Sequence, residues 1–135
     1  MDIMSFEKRS KVMAKIRSKN TKPELKVRSM LHAMGFRFRL NRVDLPGKPD
    51  IVLPKYKTVI FVHGCFWHRH ENCKYRTVPK TNEEFWQSKF IANINRDKKV
   101  KRQLQELNWT VLVVWECETE NPEVLYFKLY ENLTS

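Results

Sequence analysis

The sequence predicts an α/β protein: a mixed β-sheet with a layer of helices on each face, three layers in all. Three observations lead there. The apolar, β-branched runs TVIFV (58–62) and TVLVV (110–114) flank a long periodic helical segment, and strands so connected pair in parallel through a right-handed crossover. DIVLP (50–54) stands one short turn before TVIFV, close enough for an antiparallel hairpin. Helical patterns occur before and after these strands, so both faces of the sheet can be covered. With 135 residues the chain is expected to form one domain, long enough to bury a core without disulfides.

The elements follow in order. In SFEKRSKVMAKIRSK (5–19), Phe6, Val12, Met13 and Ile16 recur at roughly helical intervals among basic residues, so an amphipathic helix is expected with Ser5 as its N-cap. Thr21 and Glu24 have the spacing of a capping box, and Pro23 suits a first turn. The helix they open, with Leu25, Val27, Met30 and Leu31 apolar, is expected to stop at Gly35. FRFRL (36–40) alternates apolar with basic residues and reads as a strand with one wet face. VDLPGKPD (43–50) is a loop, and PKYK (54–57) turns the hairpin. Residues 63–81 read as irregular. The longest helix is expected over 82–108, capped by Asn82 or Thr81, and WTVLVVWE (109–116) as a buried strand. NPEVLYFKLYENL (121–133) closes as an amphipathic helix with Asn121 at the N-cap and Pro122 next.

The formal net charge is +11, and it is unevenly distributed. Residues 1–42 hold twelve Lys or Arg against three acids, whereas 43–135 hold fourteen against twelve. A basic helical arm over about residues 1–35 is the footprint of a polyanion-binding surface, although a solvated basic face has the same composition. No apolar run approaches the roughly 20 residues of a membrane span, and MDIMSFEKRS lacks the apolar centre of a signal peptide. A soluble, cytoplasmic protein is expected.

Chemistry-bearing residues concentrate in HGCFWHRHENC (63–73), which holds three of four histidines and two of three cysteines. Cys65, His70, Cys73 and the distant Cys117 make a three-thiolate, one-imidazole set suited to a closed, structural Zn²⁺ site; the plainer reading is a buried thiol and a surface imidazole. A closed site hydrolyses nothing, which leaves His63 and His68 for acid–base work. Trp86, Phe90, Asn93 and Asp97 share one face of the long helix, where Asp97 could orient an imidazole. Asp50 opens a hairpin strand, as the first Mg²⁺ ligand does in a large class of nucleases, although a turn acid is commoner. The next strand offers Phe61, Val62 and His63 where a second acid would stand, so the Val62 carbonyl is the substitute ligand. Phe66 and Trp67, being adjacent, cannot both face one core; with Trp86 they could slide between base pairs.

These residues resemble the very short patch repair endonucleases, which nick DNA beside thymine–guanine mismatches. The markers are RSKVMAKIRS, DLPGKPDIV, VIFVHGCFWHRH, EFWQSKFIANINRDKKV and WTVLVVWEC, spread over essentially the whole chain. Val62 stands where that family often has threonine. The resemblance implies a restriction-endonuclease-like nuclease fold with a structural zinc site, and a Mg²⁺-dependent, strand-specific nick at T·G mismatches in duplex DNA. It implies that Asp50 and the Val62 carbonyl hold Mg²⁺ and that Glu24 reaches the metal shell through water. His68 would be the general base, polarised by Asp97, with His63 supporting the scissile phosphate. Cys65, His70, Cys73 and Cys117 would hold Zn²⁺. Phe66, Trp67 and Trp86 would wedge beside the mismatch, and Met13 would enter from the opposite groove. A compact nicking domain needs no second copy, so a monomer is expected. The alternatives are a non-catalytic, zinc-stabilised DNA-binding module and a nuclease cutting both strands of matched DNA.

Overall fold

The computed structural model describes residues 21–66, 68–71, 73–74 and 81–134. The helix expected over 5–19, including Met13, and the wedge residue Trp67 lie outside the described residues. Thr21 is extended (φ −66°, ψ 160°), and its hydroxyl accepts the Glu24 N–H at 3.4 Å. Helix α1 (Lys22–Ala33) therefore begins where the cap pattern puts it. At its other end Gly35, at φ +85°, lets the Phe36 N–H reach back to the Leu31 carbonyl at 2.9 Å, and its own N–H bonds His32 at 3.0 Å. Those bonds satisfy carbonyls that the helix end leaves without partners.

Four strands follow the order β1 (Arg39–Leu40), β2 (Ile51–Leu53), β3 (Thr58–His63) and β4 (Thr110–Trp115) across one sheet. The hairpin forms as expected: β2 and β3 are antiparallel, with Ile51 opposite Ile60 and Leu53 opposite Thr58. A single 3₁₀ turn over Pro54–Tyr56 and Lys57 at φ 52° connect them. Strands β3 and β4 are parallel, from Thr58 beside Thr110 to His63 beside Trp115. The strand expected over 36–40 is shorter than its pattern. Only Arg39 and Leu40 pair with β2, because β2 is three residues long and ends at Pro54, which has no N–H to extend a ladder. Phe36 and Phe38 pack on the core instead.

Side-chain alternation gives the sheet two different faces. Ile51, Leu53, Ile60, Leu112 and Val114 meet Val27 and Leu31 of α1 and Leu125, Leu129 and Leu133 of the C-terminal helix. On the opposite face Val52 and Val59 pack with Trp109 and with Leu104 of α2 (Glu83–Glu106), the long crossover helix. The three layers are thus observed. Asn82 takes the N-cap position of α2 in a left-handed conformation, φ 55°. Strand β4 is less buried than its composition suggests: Leu112 and Val114 are covered, while Val111, Val113 and Trp115 line an open cleft on the α2 side. A four-residue helix, α3 (Glu116–Thr119), was absent from the sequence pattern. Helix α4 (Pro122–Thr134) is capped as expected, with Asn121 Oδ1 accepting the N–H groups of Glu123 at 3.0 Å and Val124 at 3.4 Å. Among the described residues no helix is long and apolar enough to cross a membrane.

Candidate active site

Pro49 is fully buried and delivers Asp50 to the mouth of β2. There Asp50 Oδ2 accepts the Val62 N–H at 2.7 Å, so the hairpin fixes the carboxylate directly. Burial pushes the Asp50 carboxyl up to about 6; the Val62 bond opposes that, the negative charge of Glu24 adds to it, and His68 and Arg28 again oppose it. Glu24, projecting from the first turn of α1, is itself buried and pairs with Arg28 Nη2 at 3.2 Å. Two acids from separate elements therefore share one low-dielectric corner. Such a corner favours a bound cation, because the carboxylates repel one another without it.

His63 ends β3, and the loop after it folds back so that the His68 ring stacks on the His63 ring, centroids 3.8 Å apart and planes within 5°. The His68 N–H to Gly64 carbonyl bond of 3.1 Å closes that turn. Nδ1 of His68 lies 2.7 Å from Asp97 Oδ2 of α2. A carboxylate can only accept, so Nδ1 carries the proton and Nε2 is left as the basic nitrogen. His63 behaves differently. Burial and the neighbouring His68 lower its pKa to about 4, partly offset by Asp97, which keeps it neutral near pH 7. Its Nδ1 is buried and has no hydrogen-bond partner among the described residues.

The cysteine and histidine set also comes together. Ligand atoms of Cys65, His70, Cys73 and Cys117 lie within 4.8 Å of one another, a group that could hold a metal ion. His70 Nδ1 is 3.7 Å from Cys65 Sγ and 3.4 Å from Cys117 Sγ. Cys117 is supplied by α3, the element missed in the sequence. Burial pushes the Cys65 thiol up to about 12 and raises Cys117 as well, so these sulfurs would ionise only with a cation among them.

Phe66 lies edge-on to Trp86 and Phe90 of α2, at 5.8 and 5.3 Å between centroids. Arg69, which the sequence reading gave no role, is buried; its guanidinium lies 4.0 Å over the Phe90 ring and donates to the Phe66 carbonyl at 3.3 Å. Asp50, Val62, His63, Phe66, His68, Asp97 and Glu24 all line one open cleft of about 1710 Å³. Trp86 stands in the aromatic cluster beside it. Cations including Lys48, Lys89, Arg96, Lys98 and Lys101 border the same cleft. Arg28 and Trp115, like Arg69, stand outside the residues expected to form the site. The i,i+4 spacing of Glu24 and Arg28 was a usable signal, whereas the position of Trp115 depends on strand register.

The frame is thus a mixed α/β sheet carrying a carboxylate–imidazole centre, with a cysteine–histidine cluster against its wall. Comparison with known proteins places it further. A family model described as DNA mismatch endonuclease Vsr matches residues 1–75. The chain is 50% identical over 123 residues to the type II nicking enzyme V.NmeAIP of Neisseria meningitidis, covering 91% of this chain and 87% of the relative. It is 48% identical over 128 residues to the type II nicking enzyme V.XorIIP of Xanthomonas oryzae pv. oryzae, covering 95% and 93%. The DNA mismatch endonuclease Vsr of Escherichia coli is 44% identical over 124 residues, covering 92% and 79%. The chain belongs to the Vsr family of DNA mismatch endonucleases.

Proposed function

We propose that this protein is a strand-specific endonuclease that nicks duplex DNA beside T·G mismatches, initiating very short patch repair in the cytoplasm as a monomer. On this reading the α/β frame is a restriction-endonuclease-like nuclease fold. The observation that carries it is the His68–Asp97 pair, 2.7 Å apart, in the same cation-lined cleft as Asp50. The relatives named as a mismatch endonuclease and as nicking enzymes support the same reaction.

The donor sets fit the two metals. In a tetrahedral Zn²⁺ site, ligand bonds of about 2.3 Å to sulfur and 2.0–2.1 Å to nitrogen put those atoms about 3.5 Å apart. The His70 Nδ1 distances of 3.4 and 3.7 Å bracket that value. Cys65, His70, Cys73 and Cys117 would hold zinc as a structural pin. Asp50, with one oxygen engaged by Val62, and the Val62 carbonyl offer hard oxygen ligands to Mg²⁺, and Glu24 would contribute through water. When bound, Mg²⁺ would neutralise charge growing on the phosphate and lower the pKa of a bound water.

The remaining steps belong to this chain's own groups. Nε2 of His68 takes the proton from the attacking water, and Asp97 stabilises the imidazolium that results. His63, neutral at working pH, supports the scissile phosphate as a hydrogen-bond donor. Phe66 and Trp86, with Trp67 and Met13 from outside the described residues, wedge into the duplex. A wobble pair stacks less firmly than a matched one, so opening that step costs less there. The test compares wild type and Asp50→Ala on T·G and matched duplexes with Mg²⁺. A single-strand nick confined to the T·G duplex and lost in the variant is expected; equal nicking by both proteins, or breaks in both strands of matched DNA, refutes the proposal.

A further inference from the structure

The Cys/His cluster and the hydrolytic centre are joined by a continuous run of rings. The His70 ring stacks on Trp115 with centroids 4.2 Å apart and planes 12° apart. Trp115 and His63 meet edge to face at 5.3 Å and 75°, and His63 stacks on His68 at 3.8 Å. The parallel register makes this contact obligatory, because His63 and Trp115 are direct partners at the ends of β3 and β4. The Trp115 backbone is itself held from behind: its main-chain N–H donates to Glu118 Oε1 at 2.8 Å, and Lys128 of α4 grips that carboxylate at 2.7 and 2.9 Å.

We infer that Trp115 is a positioning residue, through which the cysteine–histidine cluster sets the angle of the His63 and His68 rings toward the scissile phosphate. The inference rests on the proposed nicking reaction. What makes it more than packing is the state of His63. Its buried Nδ1 has no hydrogen-bond partner among the described residues, so ring contacts rather than a polar tether orient it there. Asp97 fixes one nitrogen of His68, but a single hydrogen bond leaves the ring free to tilt about it; the His63 face removes that freedom. A proton abstraction needs its base within a few tenths of an ångström of the productive place. The cluster therefore does more than fasten the loop, since His70 presents the first ring of the series.

Wild type, Trp115→Phe and Trp115→Leu are compared as full chains after measuring bound zinc. Phe keeps an aromatic ring beside both His70 and His63, whereas Leu fills volume without one. Single-turnover nicking of a T·G duplex at saturating enzyme is read beside the Kd for that duplex in magnesium-free buffer. A misplaced base predicts a rate loss on the order of 100-fold for the Leu variant, with Kd and zinc content within about twofold and most of the rate kept by the Phe variant. Equal losses in both variants, an unchanged rate in the Leu variant, or zinc lost together with activity would overturn the inference. A second arm needs no cleavage: the ring carbon and proton resonances of His63 and His68 should move in the Leu variant and much less in the Phe variant. Unmoved His68 signals refute the positioning role. A wild type that nicks no mismatch while its histidine signals follow Trp115 refutes the proposed reaction alone.

Discussion

Replacing Asp50 by Asn should stabilise the protein in magnesium-free solution, and the gain should grow with pH. The folded carboxyl titrates at about 6, chiefly because it is buried, against 3.8 for the same group in water. Between those values the folded state binds more protons than the unfolded state, so stability falls as pH rises through that window. The favourable burial of the neutral acid is complete below the lower value and lost above the upper one. At about 1.4 kcal/mol per pKa unit, the ionised carboxylate costs on the order of 3 kcal/mol at neutral pH. Asn never ionises, and its Oδ1 can still accept the Val62 N–H that Asp50 Oδ2 accepts at 2.7 Å. Urea midpoints of the two proteins, taken in steps from about pH 4 to 8, should start nearly equal and separate in favour of Asn. A constant gap, or a wild type more stable than the variant at neutral pH, would show that Asp50 is not held as an uncompensated charge.

Asp97→Asn should keep the contact to His68 Nδ1 but lose the negative charge that favours the imidazolium, lowering the nicking rate by about 10²- to 10⁴-fold while mismatch binding persists; gel-shift and single-turnover assays separate the two. Gly47→Ala places a Cβ 2.4 Å from Val100 Cγ1 at a backbone φ of +73°, and should destabilise the fold by about 2–4 kcal/mol in thermal unfolding through overpacking and left-handed strain together. Cys117→Ser should abolish stoichiometric metal binding and the intense sulfur-to-metal absorption of the cobalt-loaded protein, with nicking lost although Cys117 does not line the cleft.

Local chemistry made most of the frame readable. Thr21, Pro23 and Gly35 mark both ends of α1 because capping needs only neighbours, and the short PKYK turn forces β2 against β3. The failures have two causes, tertiary position and elements too short to show a period. FRFRL alternates like a strand of five, yet it finds partners for two, because Pro54 ends the strand beside it. The segment Glu116–Thr119 is a single helical turn, too short to show a period. Asp50, His68, Asp97 and the four cluster residues could each be picked out by residue type, and the structure brings them to one cleft and one cluster. The 2.7 Å approach of His68 to Asp97, the shared burial of Asp50 and Glu24, and the guanidinium of Arg69 over Phe90 depend on crossover geometry. No sequence window spans them.

Three of the four cluster ligands lie within nine positions, but Cys117 arrives only after the crossover helix and β4. A growing chain therefore cannot assemble the full set until its last strand has docked. An ion held by all four ligands would be captured only after β3, the crossover helix and β4 have packed together. Wrongly threaded products would offer three of those ligands at most, so metal loading would report correct docking of β4.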